Sequence, residues 1–100
     1  MTLVDYDEEM ASELCDPEYA AAYLAECLSY DEPDTFLRAL REVVKAQTSM
    51  STMARKLEAS RPALYRSLNE GGNPEFRTIQ SVLNAIGLQM SITPKRQNTA

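Results

Sequence analysis

Apolar side chains recur at Ala20, Tyr23, Leu24, Cys27 and Leu28, the three- and four-residue spacing of one helical face. Asp16-Pro17 stands just before them, an N-cap carboxylate followed by a proline whose missing N–H costs nothing in a first turn. The pattern predicts a helix over 17–29, with Glu18 placed to suit the helix dipole. "YDEPDTF" breaks it, and Pro33 opens a second helix ending near Gln47. Phe36, Leu37, Leu40, Val43 and Val44 form its inward stripe, while Arg38, Arg41 and Lys45 face outward. Two short helices follow. One covers 51–57, with Ser51 as N-cap and Met53, Ala54 and Leu57 inward; the other covers 61–69, capped by Ser60, with Leu64 and Leu68 inward. Only Glu58-Ala59-Ser60 separates them.

After the "EGGNP" turn, Asn73 is the expected cap of a fifth helix and Pro74 its first residue. Phe76, Ile79, Val82, Leu83 and Ile86 line one side, and Gly87 stands where a left-handed residue ends a helix. The period then changes from helical to alternating at Leu88, Met90 and Ile92, which predicts a short β-strand. A lone strand needs a partner, either the same strand of a second copy or the N-terminal arm. The expected organisation is an irregular arm over 1–15, an all-α domain of five helices with a short C-terminal β-strand over 16–93, and a disordered tail over 94–100.

Charge divides the chain. Before residue 35 there are eleven acidic residues and no basic one; from Thr35 onward there are four acidic and ten basic, so a net −11 sits beside a net +6. Such asymmetry points to two different partners, one of them polyanionic. Histidine is absent and the two cysteines, Cys15 and Cys27, are too far apart to form a metal-ligand cluster. They read as reduced and buried. With no metal site, no cofactor signature, no glycine-rich phosphate loop and no grouped catalytic side chains, the chain reads as a non-enzyme. No apolar run is long enough for a membrane span and no signal peptide is evident, so the expected location is cytoplasmic.

A three-residue turn between short helices produces a steep crossing, the helix-turn-helix arrangement, here over 51–69. Its second helix can then project into a DNA major groove. Leu64 and Leu68 mark the buried line of that helix, which leaves Arg61, Pro62, Tyr65, Arg66 and Asn69 on the other side. Arginine can grip guanine edges, and tyrosine can bond phosphate or rest on a thymine methyl. The exposed amides at the starts of the third and fifth helices, assisted by Thr52, Asn73 and Arg77, complete the expected DNA contacts.

The segment 51–92 resembles the helix-turn-helix antidote proteins of bacterial toxin–antitoxin modules, relatives of the phage-repressor/Cro-like fold. The likeness rests on Ala54-Arg55, Ser60-Arg61, Leu64-Tyr65-Arg66, Leu68, Gly72-Asn73-Pro74, Phe76, Thr78 and the run from Leu83 through Asn84, Ala85, Ile86 and Gly87 to Leu88. It extends upstream through "PEYAAAYLAECL" to cover roughly 4–94. The resemblance implies a phage-repressor-like DNA-binding domain with Ser60, Arg61, Pro62, Tyr65 and Arg66 at the groove-facing positions. It also implies an antitoxin that neutralises a small RelE/ParE-like toxin and represses its own operon. The chain departs from the pattern at Glu58, where glycine with a positive φ is usual, and at Pro62, where a polar reader is commoner.

The expected partners are operator DNA, a small basic toxin engaging the acidic N-terminal third, and a second copy of the chain. The dimer interface falls on Leu88, Met90 and Ile92. Two other readings stay open: a stand-alone phage-type repressor without a toxin, and an interaction domain that has lost DNA binding.

Overall fold

The computed structural model describes residues 11–69 and 71–95. Among the described residues five helices run in order from residue 17: α1 (Pro17–Leu28), α2 (Pro33–Gln47), α3 (Met50–Lys56), α4 (Arg61–Leu68) and α5 (Phe76–Ala85). Residues 11–14 form a further helical turn, not the irregular arm expected there. The reason is Leu14, which is buried in the core while its carbonyl accepts from Gln47 Nε2 at 3.3 Å. The remainder of the expected arm, 1–10, and most of the expected tail, 96–100, lie outside the described residues.

α1 begins as its sequence dictates, the Asp16 carboxylate accepting from the Glu18 amide at 3.0 Å. α2 is the central element: it packs against α1, α3 and α4, while α5 packs on α3. The core joins Leu24 of α1, Leu40, Val43 and Val44 of α2, Met53 of α3, Leu68 of α4 and Val82 of α5. Burying each such side chain contributes about 1.5–3 kcal/mol.

Several expectations are corrected. α3 starts one residue earlier than the pattern suggests, and its N-cap is Ser49, not Ser51; the Ser49 hydroxyl accepts from the Thr52 amide at 3.0 Å. Met50 thereby turns inward and is buried. α5 starts later, at Phe76 with Glu75 as N-cap, so neither Asn73 nor Pro74 belongs to it. Leu28 and Phe76, expected to face the core, are exposed. Of the two cysteines only Cys27 is buried; Cys15 is exposed, its thiol directed at the Ala46 carbonyl. No strand forms among the described residues, and 88–95 runs without regular structure. An extended segment needs a neighbour to receive its backbone hydrogen bonds, and no strand stands beside it among the described residues.

Both positive-φ helix ends are realised. Gly87 has φ +84, with the Leu88 amide donating to the Leu83 carbonyl at 2.8 Å. Glu58 has φ +54; behind it the Ala59 amide donates to the Ala54 carbonyl at 2.9 Å and its own amide to the Arg55 carbonyl at 3.1 Å. This is the paired hydrogen-bond closure of a Schellman end, built on a glutamate where glycine carries no steric penalty.

Gly72 has a different constraint. A Cβ there would collide with the carbonyl oxygens of Ser67, Arg66 and Asn69 at the end of α4.

Three outcomes follow from these features. Glu58→Gly relieves left-handed strain and should raise stability by on the order of 1 kcal/mol, seen as a higher Tm; a lower Tm would remove the strain. Gly72→Ala should destabilise by about 1–3 kcal/mol, the range of overpacking, measured by urea unfolding. Burial, then the nearby Glu42 and Glu26 carboxylates, raise the Cys27 thiol above its ordinary value. A raised thiol stabilises the fold at pH below the ordinary thiol range, and that contribution fades as pH climbs through the folded value. In native protein at pH 8 a disulfide reagent should therefore modify Cys15 at once and Cys27 only as the fold opens.

Candidate nucleic-acid interface

The candidate surface is built around α4. Ser60 caps this helix, its hydroxyl accepting from the Ala63 amide at 3.1 Å. Leu64 and Leu68 enter the core, which turns Arg61, Pro62 and Arg66 outward, all three exposed. Tyr65 is only half-exposed because its ring packs against the core cluster. Two cations flank that ring: the Arg61 guanidinium at 5.3 Å and the Lys45 ammonium at 5.9 Å from its centroid. Such contacts hold the cations in place at a modest gain of about 0.5–1 kcal/mol at exposed sites. The ring is therefore a pedestal on which α2 and α4 each present a positive charge.

Asn69 is exposed at the end of α4, yet its side-chain oxygen already accepts from Arg41 Nη1 at 2.9 Å. That leaves the amide group of Asn69 as the donor free to turn outward. Asp34 of α2 meanwhile accepts from the Gly71 amide at 2.8 Å, tying the turn after α4 to the same helix.

Thr52 is half-buried and engaged in capping, its hydroxyl oxygen accepting from Ser49 Oγ at 2.9 Å and from Arg55 Nη2 at 3.4 Å. Asn73 and Arg77 are exposed and line a groove of about 440 Å³ with Ala59, Ala63 and Ser67. The groove thus runs between the turn, α4 and the start of α5. Glu75, the N-cap residue of α5, also lines it; its side chain makes no cap hydrogen bond, and its negative charge makes that helix start a poorer place for phosphate.

The site residues do not form one patch. Arg61 and Tyr65 cluster with Lys45; Arg66 and Asn69 follow along α4; Asn73 and Arg77 stand across the groove; Ser60 and Thr52 act first as caps. Lys45 was legible only as an outward charge near the end of α2, since its place beside Tyr65 arises from helix packing. Arg55 and Lys56, exposed in the last turn of α3, add two more cations just before the turn. Their signal in sequence was the basic pair itself.

Residues 4–94 match the family model described as probable addiction module antidote protein. The chain belongs to that family. It is also 36% identical over 90 residues to an uncharacterized protein of Haemophilus influenzae, covering 90% of this chain and 92% of that relative. No solved structure matches the chain significantly. Among the described residues, no helix is long and apolar enough to cross a membrane.

Proposed function

We propose that the chain is a DNA-binding antitoxin: a homodimer of the phage-repressor-like helix-turn-helix class that represses its own operon and neutralises a small RelE/ParE-like toxin. The observation that carries the DNA-binding half is the placement of Arg61 and Arg66 on the solvent side of α4, directly after the turn closed by Glu58. α4 is the reading helix. Arg61 and Arg66 address base edges and phosphates, Tyr65 orients Arg61, and Lys45, Arg55 and Arg77 neutralise backbone charge. Ser60 sets the start of the helix and contacts phosphate through its exposed side. Pro62 lies on the groove face and contributes shape and apolar surface in place of hydrogen bonds.

Family membership supports the antidote half, since an antidote has a toxin as its counterpart, and it accords with a regulatory protein rather than an enzyme. The chemistry of the charge division agrees. A toxin acting on nucleic acid needs a positive surface, and the eleven acids before residue 35 offer a complement to it. One α4 reads only a few base pairs, so two copies reading half-sites about one helical turn apart are required for specificity. The segment holding half-buried Leu88 and exposed Met90 and Ile92 is the face through which the copies meet.

The experiment is a titration of a duplex carrying the chain's own promoter across a series of salt concentrations. The logarithm of affinity should fall linearly with the logarithm of salt. Arg61→Ala and Arg66→Ala should each cost about 1–3 kcal/mol, and Lys45→Ala should lower the salt slope by about one. Binding that is absent, or insensitive to salt and to all three changes, would sink the reading. Growth rescue on co-expression with the neighbouring reading frame separates the antitoxin from a stand-alone repressor.

A further inference from the structure

Four large apolar side chains stand uncovered around one groove: Leu28 at 58% exposure, Tyr30 at 57%, Phe76 at 64% and Met90 at 44%. The groove holds about 550 Å³, lies between the α1–α2 connection and the start of α5, and is floored by Phe36, Leu37 and Ile79. Among the described residues its charged lining is Asp31 and Glu32, with no lysine or arginine. An uncovered aromatic cluster of this kind marks an interaction surface. A second unpartnered feature adjoins it. Beyond Met90 the chain runs through Ile92, 98% exposed, to Lys95, also exposed, without a neighbour strand among the described residues.

We infer that the groove receives the 90–95 segment of a second copy, Ile92 seating on Phe76, Leu28 and Tyr30 while Lys95 meets Asp31 and Glu32. This deepens the homodimer reading above, on which it rests, by naming the receptor for the C-terminal segment.

Three observations favour a second copy as occupant. The segment and the groove are complementary, apolar then basic against apolar then acidic. Met90 belongs to both, so a two-fold axis that lays one segment beside the other carries each forward into the opposite groove, the reciprocal contact of an isologous interface. The alternation at Leu88, Met90 and Ile92 also finds its reason there, since two such segments side by side supply each other's backbone partners. A groove-to-groove dimer is disfavoured because it would oppose carboxylates of like charge.

The test is the mass and dissociation constant of the full chain by analytical ultracentrifugation. The unaltered chain should sediment as a dimer of the 11.2 kDa protein. Ile92→Asp and Phe76→Glu should each raise the dimer dissociation constant at least tenfold with helicity by circular dichroism unchanged. Both positions are exposed in the single chain, and a glutamate in the first turn of α5 suits the helix dipole. Asp31→Lys should weaken the dimer, and pairing it with Lys95→Asp should restore it. A monomer at all concentrations overturns the homodimer reading itself. A dimer that Phe76→Glu leaves intact, or one that the charge exchange fails to restore, keeps that reading and overturns this groove as the receptor. An intact Phe76→Glu dimer that no longer co-purifies with the toxin would reassign the groove to the toxin.

Discussion

The turn closed by Glu58 governs the working face of this protein. α3 has only seven residues and α4 eight, too few to be stable as isolated helices, so each depends on how it meets the other. Two backbone hydrogen bonds end α3, and the left-handed residue between them reverses the chain within three residues. The Ser60 hydroxyl then starts α4 at once. Because the start of α4 is set this tightly, Leu64 and Leu68 point to the core and the arginines point out. A change in that turn would rotate the whole face.

The positive surface is held by packing as much as by sequence spacing. Tyr65 sits half inside the protein and gives Arg61 and Lys45 a common aromatic support. Arg41 crosses from α2 to Asn69, and Asp34 crosses to Gly71. α2 therefore braces α4 through its apolar stripe and also through polar ties at the far end. Arg41 is consequently half-buried, although its position on the helix pattern reads as outward. Its Nε atom is buried without a hydrogen-bond partner; the fixed position of the guanidinium beside Asn69 is gained at that cost.

The two signs of charge coincide with two kinds of surface. The acidic third carries α1 and the rim of the aromatic groove, and the basic remainder carries α4 and its surroundings. Carboxylates nonetheless stand around α4: Glu58 closes the turn before it, Glu75 lines the groove beside it, and Asp34 meets Gly71 beyond its end. Long-range repulsion from the acidic third is screened beyond about 8 Å at physiological ionic strength.

The left-handed Glu58 was expected from the family resemblance alone; the apolar periods of α1, α2 and α4, the Asp16 and Ser60 caps and the left-handed end at Gly87 were legible in the chain itself. Each depends on residues within a few positions of one another, where propensity and hydrogen bonding are local. Sequence also determined that Arg61, Pro62 and Arg66 face outward, because Leu64 and Leu68 are buried, but not that Tyr65 would pack its ring against the core. Tertiary structure alone decided that Ser49 rather than Ser51 caps α3, since burying Met50 settles the register. It decided that Leu14 anchors a helical turn, that Phe76 and Leu28 stay uncovered, and that Tyr65 joins Lys45 across two helices. It also left the alternating segment after Gly87 without a partner strand among the described residues, because a strand exists only through its neighbour and alternation specifies a face without supplying one.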